Sequence, residues 1–109
     1  MDSITKFTGK EGTFITLDQG AALTKNFRDE VGDTQNKAYF FGKNKLNDLI
    51  NEEGSMGIRV YFGMDKTTGK YNLVLVGALG NTSDITTGYI LDVGVPCPTC
   101  CGNPNSLNS

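Results

Sequence analysis

Residues 56–79 read MGIRVYFGMDKTTGKYNLVLVGAL, and this stretch decides the fold. In its first half apolar residues occupy every second position, which is typical of a strand with one buried face. The turn segment 65–70 places Gly69 where a positive φ is needed and therefore predicts a β-hairpin. One face of the first strand carries Met56, Ile58, Val60 and Phe62, and the other carries Arg59 and Tyr61.

The second strand of this hairpin is apolar at both parities from Leu73 to Val76. A strand of this kind is expected to be central in its sheet and covered on both faces. We expect the cover on the second face to come from Phe7 and Phe14, from the aromatic run Tyr39–Phe41, or from a second copy of the chain in a homodimer. The predicted architecture and the predicted association with a partner both depend on the burial of both faces of this strand.

A third strand is predicted at 88–95, where Tyr89, Leu91, Val93 and Val95 alternate onto one face. Before the hairpin, Thr16 and Gln19 have capping-box spacing and open an amphipathic helix that ends near Gly32. A shorter helix is predicted over 43–53. The predicted fold class is therefore α+β, with two N-terminal helices packed on a three-stranded, or larger, antiparallel meander.

Three segments of different composition divide the chain. Residues 1–13 are polar and aperiodic and are predicted to form a flexible N-terminal arm. Residues 14–96 contain all of the predicted elements and form a single α+β domain. Residues 97–109 contain the three cysteines and are predicted to be a loop-like C-terminal tail.

Composition excludes several classes of function. The 109 residues carry a net charge of −2, and the basic residues are scattered, so no surface is predicted to attract nucleic acid. No run of eighteen apolar residues is present, which excludes a membrane partner. The N-terminal residues lack an apolar signal region, so we expect a cytoplasmic protein in which stable disulfides are disfavoured. The absence of histidine excludes Ser–His–Asp and Cys–His catalysis.

Two further motifs are candidate sites. The stretch GMDKTTGK at 63–70 has five residues between its glycines and Tyr71 after Lys70, so it does not fit a phosphate-binding loop. Asp92 lies within an otherwise apolar strand and could pair with Arg59 across the sheet. It is either an edge-strand charge that discourages aggregation or part of a polar pocket with Arg59 and Tyr61.

The cysteines leave three alternatives open. Cys97, Cys100 and Cys101 could be an inert tail, a structural bridge from Cys97 to Cys100 or Cys101, or a metal or redox site. A four-coordinate zinc site needs a second ligand pair, which this chain lacks. The flanking prolines argue against the helix N-terminus that a redox dithiol needs. No cofactor is predicted.

Several stretches of the chain resemble a family of short bacterial proteins for which no activity is established. These are YFFGK at 39–43, the G-x-x-G-I-R-x-Y segment at 54–61, the strand NLVLVGA at 72–78, and a C-P-x-x-C segment that begins at Cys97. The resemblance runs from Thr13 to the C-terminus. It implies a single soluble domain of bacterial type and no particular chemistry.

The function predicted from these observations is a non-catalytic protein-interaction or structural module that self-associates. Its candidate surface consists of Tyr39, Phe40, Phe41, Arg59, Tyr61 and Asp92. The alternative is a small-molecule, metal or redox-active binding protein that uses the cysteine tail. An enzyme centred on Arg59, Tyr61 and Asp92 is the weakest hypothesis, because it requires those three side chains to converge in one pocket.

Overall fold

A computed structural model of the chain describes residues 5–108. Its elements are listed here in chain order: helix α1 (Leu17–Val31), a 3₁₀ turn (Gly32–Thr34), strand β1 (Ala38–Phe40), helix α2 (Lys43–Ile50), and strands β2 (Ser55–Met64), β3 (Tyr71–Leu79), β4 (Ile90–Leu91) and β5 (Val95–Cys97). Strands β2, β3 and β4 form one antiparallel sheet in that order, and β1 pairs with β5 in a second. The predicted α+β class is confirmed.

The strand pairing and the turn of the β2–β3 hairpin are those that its sequence predicts, but the apolar face of β2 is exposed at Val60 and Phe62 instead of buried. Val60 lies opposite Leu75, and Phe62 lies opposite Leu73. In the turn, the Asp65 carboxylate accepts a hydrogen bond from the Thr67 N–H at 2.8 Å, and Gly69 has φ +73°. A β-bulge between Ser55 and Gly57 interrupts the alternation, so Met56 does not share the register of the other apolar residues of β2.

Strand β3 is covered on both faces at its centre, as predicted. Leu75 and Val76 are adjacent, point to opposite faces and are both buried, whereas Leu73 and Val74 are only half-buried. We call the side of the sheet that carries Val60, Phe62, Leu73, Leu75 and Gly77 the helix face, and the side that carries Arg59, Tyr61, Val74, Val76 and Ala78 the arm face.

The cover on these two faces comes from within the chain. On the helix face α2 packs so closely that a Cβ on Gly77 would lie 3.2 Å from the Leu49 carbonyl oxygen. On the arm face the Phe7 ring lies over Arg59, and the Phe7 N–H donates to the Gly80 carbonyl at 2.8 Å. Phe14, the other proposed cover, is fully exposed. Of the predicted arm 1–13, residues 1–4 lie outside the described residues, as does Ser109 of the predicted tail.

The predicted third strand is present but is much shorter than expected. β4 comprises only Ile90 and Leu91, and the chain leaves the sheet at Val93, which has φ +59° and is exposed. The chain then forms β5, which pairs with β1 instead of continuing the meander. Cys97 is the last residue of β5 and is buried, so the predicted boundary between domain and tail falls inside a strand.

Helix α1 has the predicted capping box, with the Gln19 N–H donating to Thr16 Oγ1 at 3.1 Å and the Thr16 N–H donating to Gln19 Oε1 at 2.9 Å. It buries none of its own residues. The C-terminal segment lies along it, because Arg28 donates to the Leu107 carbonyl at 2.6 Å and a Cβ on Gly20 would lie 3.4 Å from the Leu107 side chain. α2 packs on the sheet, and its helical span ends at Ile50, before the predicted 53.

Candidate functional site

The arm face carries a cluster of three polar side chains. Arg59 and Tyr61 project from β2, and both contact Asp84, which follows the turn after β3. The Arg59 guanidinium lies 2.5 Å from Asp84 Oδ1, and the Tyr61 hydroxyl donates to the other carboxylate oxygen. Arg59 also donates to the Thr82 carbonyl at 3.0 Å. The cluster therefore ties the 79–84 turn down onto β2.

The hydrogen bonds of this cluster shift its pKa values. The hydrogen bond from Tyr61, followed by the bond and charge of Arg59, lowers the pKa of Asp84. The hydrogen bond to Asp84 raises the pKa of Tyr61 and also raises that of Arg59. All three groups are therefore held in the protonation states they have at neutral pH, which suits a structural anchor better than a proton-transfer site.

Beside the cluster is a shallow cleft of about 330 Å³ between the N-terminal arm and β2. Glu11 lies in it, and its carboxylate accepts hydrogen bonds from the N–H groups of Thr8 at 2.7 Å and Gly9 at 2.9 Å. The Thr8 backbone bond is the main reason that the pKa of Glu11 is lowered. The carboxylates of the cleft and of the cluster are both bonded within the chain. The cleft is lined by Phe7, Gly9, Glu11, Met56, Gly57, Ile58, Arg59 and Ala78.

Asp92 does not join Arg59 and Tyr61. Its two oxygens accept hydrogen bonds from the side-chain amide of Asn72, at 3.2 and 3.4 Å. Asn72 lies near the start of β3, at the opposite end of the strand from Ala78. The structure thus brings together two of the three residues of the predicted pocket and supplies Asp84 as the acid. The sequence feature that indicates Asp84 is its position directly after the turn that follows β3. This turn pairs Asp84 with Ala78 and so places it near Arg59.

The aromatic run alternates between half-buried and exposed side chains, with Tyr39 and Phe41 half-buried. The Tyr39 hydroxyl donates to the Tyr71 carbonyl and accepts from the Asn36 side chain. Phe41 lies against Gly94, where an added Cβ would come within 2.8 Å of its ring. Phe40, between them, is exposed. The run therefore connects the two sheets and leaves one ring in solvent.

Two of the three cysteines form a disulfide. Cys97 is bonded to Cys101, and Cys100 is a free, exposed thiol. The structural-bridge alternative is the one that this structure contains, and it leaves one thiol, Cys100, in place of the three that a cysteine metal site needs. Within residues 5–108 no three His, Cys, Asp or Glu side chains are grouped so as to hold a metal ion. The presence of this disulfide is contrary to the expectation that stable disulfides are disfavoured.

A mostly apolar groove lies on the helix face of the sheet. This groove of about 230 Å³, which we call the Phe62 groove, runs between the end of α1, β1 and the helix face of the sheet. Phe62 itself is 88% exposed, and the neighbouring Val60 and Met64 of β2 are exposed as well. The groove is lined by Phe27, Asn36, Lys37, Ala38, Tyr39, Phe62, Tyr71, Asn72 and Leu73.

Comparisons with protein-family models, with curated proteins and with solved structures found no match to this chain. Among the described residues, no helix combines the length and apolar character needed to cross a membrane.

Replacing Asp84 with asparagine is expected to lower the pKa of Tyr61 toward the ordinary value of about 10, because the carboxylate that stabilises its protonated form is removed. An ultraviolet titration of tyrosinate measures this shift. Asp92→Asn is the matched control, since Asp92 contacts an amide and no tyrosine hydroxyl. An unchanged tyrosine titration in Asp84→Asn would show that the hydrogen bond does not form in solution.

The same cluster contributes to the pH dependence of stability. The folded-state pKa of Asp84 is lowered, so its contribution is present above its unfolded pKa of about 3.9 and is lost as the pH falls through the folded value. The pKa of Tyr61 is raised, so its contribution is present below about 10 and is lost as the pH rises through its folded value. Between these limits the cluster stabilises the fold.

Proposed function

We propose that this chain is a non-catalytic interaction module that associates with copies of itself through the helix face of its sheet, around the Phe62 groove. The observation that carries the proposal is the imbalance between buried and exposed apolar side chains. Among residues 5–108, eighteen large hydrophobic residues are exposed, whereas only five hydrophobic residues are buried, namely Leu49, Leu75, Val76, Ala78 and Cys97. Three of the exposed residues, Val60, Phe62 and Met64, share one face of β2, and monomeric proteins rarely leave large contiguous apolar patches in water.

The exposed residues concentrate where two elements lack cover. β2 presents Val60, Phe62 and Met64 to solvent along one strand. On α1, Phe27 lines the Phe62 groove, and Leu23 is exposed in a neighbouring cavity that Phe27 also lines. The radius of gyration is 15.6 Å, whereas a compact domain of this length has about 13 Å. An extended subunit with an apolar face gains more from association than a compact one.

The magnitudes favour a dimer of moderate affinity. Complete burial of one side chain such as Phe62 contributes about 1.5–3 kcal/mol, and a two-fold interface counts each residue twice. Three such residues on β2 are therefore comparable to the cost of association, which is about 4–15 kcal/mol. We also propose a bacterial origin, which the sequence resemblance implies. The argument for self-association does not depend on it.

Light scattering coupled to size-exclusion chromatography tests the proposal. The parent chain is expected to elute with the mass of a dimer or a larger oligomer at high protein concentration and to dissociate on dilution. Phe62→Lys is expected to weaken association by at least about tenfold, or 1.4 kcal/mol, because it places a charge in the apolar contact. The matched control is Phe14→Lys, which makes the same change at a fully exposed position outside the sheet.

Circular dichroism establishes that both variants keep the fold of the parent. A parent chain that stays monomeric at every concentration overturns the proposal. Equal weakening by Phe62→Lys and Phe14→Lys also overturns it, because the effect would then follow net charge and not the helix face.

A further inference from the structure

β2 lies at the edge of its sheet. The strand order is β2, β3, β4, so only one side of β2 pairs with a neighbour. β2 is ten residues long and contains neither proline nor lysine, the residues that commonly protect an edge from pairing. Its only charge is Arg59, which is neutralised by Asp84 on the arm face. Such an edge is a template for another extended strand.

The backbone groups on the open side can be assigned. Gly77 O accepts from the Ile85 N–H, and the Leu79 N–H donates to Ser83 O, so odd-numbered residues of β3 direct their groups away from β2. Hydrogen-bonded pairs alternate along an antiparallel ladder. Within β2, the groups of Arg59, Tyr61 and Gly63 consequently point to β3. Those of Ile58, Val60, Phe62 and Met64 point outward.

The arm limits which part of this edge is free. A Cβ on Gly9 would lie 3.6 Å from the Met56 carbonyl oxygen, so the arm lies against the start of β2. From Ile58 to Met64, no backbone hydrogen bond to the open side occurs within residues 5–108. This free segment is about 24 Å long, and its midpoint is Tyr61.

We propose that two copies of this chain join edge to edge through β2, antiparallel, about a two-fold axis at Tyr61. The inference rests on the proposed self-association and adds to it a second contact, along the β2 edge, that joins the helix faces of two copies into one larger apolar surface. In this register Val60 faces Phe62 of the partner subunit, and Ile58 faces Met64 of the partner subunit. All four outward residues form hydrogen-bonded pairs, and the result is a continuous six-stranded sheet.

The side chains are compatible with this register on both faces. The helix face gains only apolar pairs, which extends the exposed apolar surface of each copy across the axis. On the arm face Arg59 lies opposite Gly63 of the partner subunit, and the two Tyr61 rings are neighbours. If the two-fold axis passed through Arg59 instead of Tyr61, Arg59 would lie opposite Arg59 of the partner subunit. Like charges directly opposite each other are destabilising.

Disulfide trapping tests the register. Val60→Cys and Phe62→Cys are made separately in a Cys100→Ser background, so that each chain has one thiol besides the Cys97–Cys101 bridge. The two variants differ in mass and are mixed, oxidised briefly and read by intact mass spectrometry. The proposed register places 60 and 62 of opposite copies about 5.5 Å apart, whereas two residues 60 are more than about 8 Å apart.

The mixed disulfide is expected to exceed either homodisulfide by at least about fivefold, because only that pair lies within the range of disulfide geometry. Phe14→Cys in the same background gives the rate of random collision. Homodisulfides that equal or exceed the mixed product overturn this register. Trapping no faster than that of Phe14→Cys, in a chain that light scattering shows to be a dimer, overturns the edge interface but leaves self-association intact. A strictly monomeric chain removes both proposals.

Discussion

Replacing Leu49 with alanine is expected to cost about 2–5 kcal/mol of the free energy of unfolding. Leu49 is 1% exposed and is the only large side chain in the described residues that is buried this completely. It lies on α2, the helix that packs on the sheet beside Gly77, so its loss opens a cavity between the two layers. Since small domains have about 5–15 kcal/mol in total, this single change removes a large fraction of the stability.

Urea denaturation followed by circular dichroism measures the effect. Ile50→Ala is the matched control, because Ile50 is the next residue on the same helix but is half-exposed, and its truncation is expected to cost less than about 1 kcal/mol. Similar losses for the two variants would mean that α2 is not anchored to the sheet through Leu49. Because the core is small, the loss of one buried side chain is expected to give a clear difference in the free energy of unfolding between the two variants.

The hairpin was predictable because its signals are local. Alternation of apolar residues in β2, a turn with Gly69 at positive φ, and the apolar run of β3 all lie within 56–79. Side chains two apart share a face of a strand, so the pattern predicts both the pairing and the faces. The bulge at Met56 was not predictable, because one additional residue leaves an equally plausible alternation.

The second sheet was missed because its pairing is not local. β1 and β5 are three residues each and are separated by the whole hairpin, and neither contains enough residues to show a period. The decisive feature is the break at Val93, which takes a positive φ that β-branched residues rarely adopt. Residue preferences therefore favoured continuing the strand at the point where the chain turns away.

The sequence of α1 predicted a helix but not its neighbours. The capping box is formed, and the apolar stripe is present, yet Leu17 and Leu23 are exposed. Amphipathicity indicates that one side of a helix prefers an apolar neighbour, without saying whether that neighbour is the sheet or another subunit. The prediction that α1 packs on the sheet assumed the first of these alternatives.

The polar site was predicted in two of its three residues. Arg59 and Tyr61 follow from the parity of β2, but the acid was assigned to Asp92 because that residue interrupts an apolar strand. Asp84 is recruited by closure of the 80–83 turn, where Thr82 takes φ +75° and the Ser83 N–H donates to the Asn81 side chain at 3.0 Å. Such turn geometry depends on tertiary contacts that periodicity does not contain.

Reducing the Cys97–Cys101 disulfide is expected to cost about 2 kcal/mol, the chain-entropy value for a loop of five residues. The bridge connects β5 to the C-terminal segment. Cys97 O accepts from the Lys37 N–H at 2.6 Å, and Cys101 O accepts from the Asn108 side chain at 2.9 Å. Loss of the bridge is therefore expected to loosen the small β1–β5 sheet and the segment that lies along α1, and to leave the β2–β3 hairpin intact.

Hydrogen exchange with and without a reductant locates this effect. Amides at 37–40 and 95–97 are expected to exchange at least about tenfold faster in the reduced protein, while those of β2 and β3 are unchanged. A Cys97→Ala, Cys101→Ala double variant should not respond to the reductant, whereas Cys100→Ser should respond as the parent does, because Cys100 lies outside the bridge. If the parent and the double variant exchange alike in the absence of reductant, the bridge contributes nothing to the small sheet. The β1–β5 pairing must then be held by the packing of Tyr39 and Phe41 against Gly94.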